Sequence, residues 1–205
     1  MEKRRYTQRI RAAGAEETKR RILDAARSLL TTEAAQGVSV DRIAREAEVA
    51  RSTVYVVFGS RAGLFDELAR DLLLSAGFDR LVAAVAVPDA REALVGSLRE
   101  AGRVYAAERD IARALFSMSL LDPDAAGAIE VLEHGRADGM RALAQRLKEQ
   151  GYLRPDAGVV EAADLLWVIT SFDTFDQLYA GRELSVATTS KRLIAMAERA
   201  LLVDL

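Results

Sequence analysis

The stretch SVDRIAREAEVARSTVYVVF, Ser39 to Phe58, decides the reading of this chain. In its first half Val40, Ile43, Ala44 and Ala47 recur at i, i+3, i+4 and i+7, the stripe of a helix that buries one face. Ser39 stands just before it, where a hydroxyl can accept an orphan backbone N–H, and Asp41 suits the positive end of the helix. Glu48-Val49 interrupts the stripe. A second helix then starts near Arg51, with Val54 and Phe58 four residues apart on one face. That leaves Arg51, Ser52, Thr53 and Tyr55 pointing elsewhere. Two helices this short bury too little to stand alone and need a third behind them. With that support, the polar face of the second helix can enter a DNA major groove, the geometry of a helix-turn-helix. Pattern alone also suits an ordinary amphipathic pair in an all-α protein.

Upstream, Ile22, Ala25, Ala26, Leu29 and Leu30 mark a helix over residues 16–34, and Gly37 ends the bend after it. Downstream, Gly59-Ser60 stops the second short helix, and Ser60 can cap the next one. That helix carries Leu64, Phe65, Leu68, Leu72 and Leu73. From Asp89 onward every segment reads as helix. Leu94, Leu98, Ala101 and Tyr105 mark one, 110–119 a short one, and 124–150 a long one that Gly151 stops. Asp156 can cap a helix running to Ala180, and Ser185 one running to Leu202. Nothing alternates as a strand would, so the chain is expected to be all-α, with about nine helices. Between Ala162 and Phe175 the sequence AADLLWVITSFDTF is apolar nearly all round, which predicts cover on more than one side.

The net charge of −2 conceals an asymmetry. Residues 1–61 hold 13 Lys and Arg against 8 Asp and Glu, and the rest holds 16 against 23. A +5 segment on a −7 body suggests that only the first part faces a polyanion. Residues 1–15 are basic with little apolar periodicity. They read as a flexible arm, either a solvated tail or one that settles on DNA phosphates or in the minor groove. No apolar run is long enough to span a membrane, and MEKRRYTQRIR lacks the apolar core of a secretory signal. The chain has no cysteine and one histidine, which excludes disulfides, leaves little for a metal site and fits the cytoplasm. No nucleophile motif or phosphate-binding glycine loop is present, so neither an enzyme nor a bound cofactor is expected.

The stretch IAREAEVARSTVYVVFGSRAGLFDEL resembles the DNA-binding core of the tetracycline-repressor (TetR) family of bacterial transcription regulators. Ile43, Ala44, Ala47, Val49, Thr53, Tyr55, Phe58, Ser60, Arg61 and Leu64 carry the likeness, with Ile22, Ala25, Ala26 and Gly37 upstream. The close match covers residues 18–68. Glu48 stands where the family usually has glycine in the turn, and Ala50 where it usually has a serine cap. Val56 and Val57 replace residues that are commonly polar or aromatic; a valine can touch a thymine methyl but cannot hydrogen-bond a base edge.

The resemblance implies a three-helix helix-turn-helix domain over residues 16–66, behind the 1–15 arm. A helical ligand-binding and dimerisation domain would follow over 67–205. Arg51, Ser52, Thr53 and Val56 would approach bases, while Ser39, Tyr55 and Arg61 would grip the backbone. The partners implied are a palindromic double-stranded operator, a small apolar or amphipathic effector, and a second copy joined through the last two helices. The expected activity is that of a repressor released by its effector. The alternative is a DNA-binding architectural or interaction protein without one. Phe116, His134, Met140, Trp167 and Phe172 are candidates to line an effector cavity. Their other reading is plain core and, for His134, a surface or satisfied group.

Overall fold

The structure, a computed structural model, describes residues 2–32 and 38–203, with side chains from residue 13 onward. The bend expected at Gly37 lies outside these residues. Eleven helices are described: α1 (Glu2–Thr32), α2 (Val40–Glu46), α3 (Arg51–Phe58), α4 (Arg61–Ser75), α5 (Phe78–Val85), α6 (Ala90–Ala107), α7 (Arg109–Ser119), α8 (Pro123–Glu149), α9 (Val159–Ile169), α10 (Phe172–Tyr179) and α11 (Val186–Leu201). They form two compact units. The first comprises Met1–Asp71 and Asp110–Glu130, the second Leu72–Arg109 and Val131–Leu205.

In the first unit the expected stripes are buried: Ile22, Ala25, Ala26, Leu29 and Leu30 on α1, Val40, Ile43 and Ala44 on α2, Val54 on α3. α1 packs on both α2 and α3, which gives the short pair its missing support. Ser39 caps α2, its Oγ accepting from the Arg42 N–H at 3.4 Å. Ser60 accepts from the Gly63 N–H at 2.9 Å and caps α4. Two ion pairs tie α1 to α4, Lys19–Glu67 at 2.7 Å and Arg27–Asp71 at 2.9 Å.

The second unit has its own core, in which Leu94, Leu98, Leu143, Leu147, Leu166, Phe175 and Leu193 are buried together. α6 and α11 cross closely at Gly102: a Cβ there would sit 2.5 Å from Ser190 Oγ. The Arg109 Nε donates to the buried Asp176 at 2.5 Å, so the carboxylate that α10 takes inside is paired.

Three expectations change. Residues 2–15 are not a separate arm, because α1 begins at Glu2; the segment has no proline and many strong helix formers. The segment from Ser60 to Pro88-Asp89, expected as one helix, is two: α4 ends at Ser75, where Ala76 and the left-handed Gly77 (φ 82°) interrupt it and α5 begins. The helix expected from Asp156 to Ala180 is two helices. Gly158, not Asp156, precedes the first, and the Ser171 hydroxyl caps the second by accepting from the Thr174 N–H at 3.1 Å. Both breaks add helices to the expected nine. No described helix is long and apolar enough to cross a membrane.

Candidate nucleic-acid interface

α3 is eight residues long and buries Val54 while leaving Arg51, Ser52, Tyr55 and Val56 exposed. Val56 is 85% exposed, an open valine on an otherwise polar helix face. Thr53 is half-buried. Arg51 is held rather than free. Its guanidinium lies 5.7 Å from the centre of the Tyr55 ring, donates to the Tyr55 hydroxyl at 3.4 Å and pairs with Asp41 of α2 at 3.3 Å. The Tyr55 hydrogen bond, followed by the Asp41 charge, holds the guanidinium protonated beyond its ordinary range. Ser39 is exposed at the start of α2. Ser39, Arg51, Ser52, Tyr55 and Val56 are thus all open to solvent on one helix pair, above a sealed apolar underside.

The turn between α2 and α3 is built without its usual residues. Glu48 takes the left-handed conformation, with φ 52°, that glycine would adopt at no steric cost. Ala50 precedes α3 and gives it no side-chain cap. Arg21, on α1, compensates in part by donating to the carbonyls of Ala47 at 2.5 Å and Glu48 at 3.1 Å, two acceptors the end of α2 leaves open. At the other end of α3, Gly63 of α4 lies so close that a Cβ would stand 2.2 Å from the Phe58 carbonyl oxygen.

Residues 22–68 match the family described as bacterial regulatory proteins, tetR family. Residues 22–68 are thus a tetR-like DNA-binding segment within the first unit. The protein is a DNA-binding regulator of transcription, and α2 and α3 are its helix-turn-helix. The matched segment is under a quarter of the chain, but solved structures cover nearly all of it. NalD of Pseudomonas aeruginosa, the secondary repressor of the MexAB-OprM multidrug efflux pump, superposes with a TM-score of 0.76 at 23% identity, over 94% of this chain and 100% of its own. A Clostridium perfringens protein described as a fatty acid metabolism regulator gives 0.69 at 17%, over 90% and 100%. A Saccharomonospora viridis protein described as a transcriptional regulator, solved with choline, gives 0.66 at 22%, over 92% and 100%. No curated protein sequence matches the chain.

In this regulator Arg61 does not lie free for a phosphate. Its guanidinium donates to both oxygens of Asp122, at 2.7 and 2.5 Å, and to Asp124 at 2.8 Å, and it sits 4.8 Å from the centre of the Phe65 ring. Asp122 and Asp124 lie at the start of α8, and sequence reasoning assigned them no role. A pairing across 61 positions of chain leaves no periodic signal.

The five cavity candidates are dispersed. Phe116 is half-buried on α7 in the first unit. In the second unit Met140 and Phe172 are buried, His134 is exposed on α8, and Trp167 is 42% exposed on α9. Arg136 of α8 lies over the Trp167 ring at 5.0 Å and donates to the Trp167 carbonyl and to Thr170 Oγ1 at 3.0 Å. Tyr105 donates to the Thr170 carbonyl at 3.0 Å, so a polar cluster gathers where α9 ends.

Proposed function

We propose that the regulator is a homodimeric repressor that leaves a palindromic operator when a small apolar or amphipathic molecule occupies its second unit. The observation that carries this reading is the α3 face: Arg51, Ser52, Tyr55 and Val56 exposed, Val54 sealed beneath them. Arg51 has the fork to pair with guanine O6 and N7, and the Val56 methyls suit a thymine methyl. Ser39, at a helix N-terminus, suits a phosphate.

Dimerisation is supported by apolar surface that one chain leaves uncovered. Leu165, Trp167 and Val168 of α9 and Met196 of α11 are exposed. A second copy supplies the cover that the all-round apolar character of α9 demands. Two α3 helices related by a two-fold axis would meet successive major grooves about 34 Å apart. An effector that prefers another spacing would lower operator affinity by population shift. Support for an effector comes from the fold shared with the choline-bound Saccharomonospora viridis protein.

The test is selection of duplexes from a random pool, together with light scattering. An enriched inverted repeat and a mass of twice 22.4 kDa are expected. A monomer, or a pool with no enriched sequence, would overturn the reading. Small molecules released from the purified protein on denaturation, identified by mass spectrometry, should weaken operator binding when added back. No such effect would leave a DNA-binding protein without an effector.

A further inference from the structure

Arg61 is the first residue of α4, three residues beyond the end of α3. Beside an exposed recognition face, a cation at a helix N-terminus would ordinarily serve the DNA backbone. Here two carboxylates hold it. Asp122 takes the two terminal guanidinium nitrogens in a bidentate pair, and Asp124 shares one of them. The three side chains are partly buried and together carry a net charge of −1. The cluster therefore presents a phosphate with repulsion where a free Arg61 would present attraction. Asp122 is also tied to its own helix: its Oδ1 accepts from the Asp124 N–H at 3.0 Å and the Ala125 N–H at 3.3 Å, so it caps α8. An acceptor fixed in this way gives the guanidinium a rigid seat.

We propose that Asp122 and Asp124 are positioning residues for DNA binding: they seat Arg61 within the protein, and a DNA phosphate must compete with them for its guanidinium. The inference rests on the helix-turn-helix reading. It makes the start of α8 an internal rival of the operator backbone and sets non-specific affinity below what the basic segment could reach. The Asp122 carboxyl is held below its ordinary range, mainly by the Arg61 hydrogen bonds, so the seat is fully charged at neutral pH.

The experiment measures binding of the full chain to a mixed-sequence duplex across a salt series. The proteins compared are the wild type, Asp122→Asn, Asp124→Asn and the double variant, each also with Arg61→Ala. Asparagine keeps the α8 cap and removes the charge, and Asp124→Asn leaves the cap untouched. Freeing Arg61 should tighten binding about three- to tenfold and steepen the slope of log K against log salt by about one. In the Arg61→Ala background most of the tightening and the whole change in slope should vanish. A merely structural role would move the unfolding midpoint and leave the slope alone. Equal tightening with and without Arg61 would show bulk charge only and overturn the proposal, as would weaker binding by the asparagine variants. A wild-type protein that binds no duplex would overturn the helix-turn-helix reading itself, and the inference with it.

Discussion

The guanidinium of Arg21 donates to the carbonyl oxygen of Ala47 at 2.5 Å, tying the middle of α1 to the end of α2. Its second acceptor, the Glu48 carbonyl at 3.1 Å, lies in the turn itself. A helix of seven residues cannot hold its own C-terminus against fraying, so the support comes from outside it. Arg21→Met keeps the apolar stem and removes the donors. It should cost about 1 kcal/mol, the contribution of a partly exposed hydrogen-bonding cation. The urea midpoint should fall at an unchanged slope.

Glu48 and Gly63 should respond in opposite directions to a change of one side chain. Glu48→Gly removes the steric cost of φ 52° and should stabilise the first unit by roughly 0.5–1 kcal/mol, after the added freedom of the unfolded chain is subtracted. Gly63→Ala places a Cβ 2.2 Å from the Phe58 carbonyl oxygen, where backbone must give way. It should destabilise by about 1–3 kcal/mol and shift α3, lowering DNA affinity as well as the unfolding midpoint. Thermal unfolding of the two variants side by side checks both signs.

Arg51 should separate specificity from stability. Its pair with Asp41 is open to solvent on both sides, 59% and 57% exposed, so Arg51→Ala should change the unfolding midpoint little. On DNA the same change should relax selectivity at one base pair per half-site and cost about 1–3 kcal/mol on the preferred sequence. Binding to the selected and a scrambled duplex measures this; an unchanged ratio between them would place the recognition face elsewhere.

Tyr105 predicts an alkaline limit for the second unit. The residue as a whole is half-buried, but its hydroxyl is enclosed against the Thr170 carbonyl. Desolvation leads the causes that push it up to about 12, from an ordinary value of 10.0. A raised value means that the folded state keeps the proton while the unfolded chain gives it up. Its stabilising contribution is therefore complete below pH 10 and is lost as pH rises toward 12. Within that window it should fall by about 1.4 kcal/mol per pH unit. Tyr105→Phe should flatten this slope, as read by urea unfolding at stepped pH.

The periodic features were legible in the sequence because they are local. The Ile22 to Leu30 stripe, the Val40 to Ala47 stripe and the Ser39, Ser60 and Ser185 caps each depend on residues within a turn or two, and each appears where the spacing put it. The exposed face of α3 followed in part from the same arithmetic, since burying Val54 turns Tyr55 and Val56 away from the core, whereas Arg51, three residues from Val54, is exposed because it opens the helix. Breaks inside apolar runs were not legible. The run from Ala162 to Phe175 keeps its hydrophobicity through Thr170-Ser171, and only the Ser171 cap and the hold of Arg136 and Tyr105 on Thr170 and its carbonyl show that the chain turns there. Tertiary structure alone decided where the cations point. Arg21 reaches Ala47 across 26 positions and Arg61 reaches Asp122 across 61. A charged side chain selects its partner by distance in space and by what else is desolvated nearby. Sequence spacing records neither, so the chain could declare its helix-turn-helix while leaving unsaid which of its arginines are open to DNA.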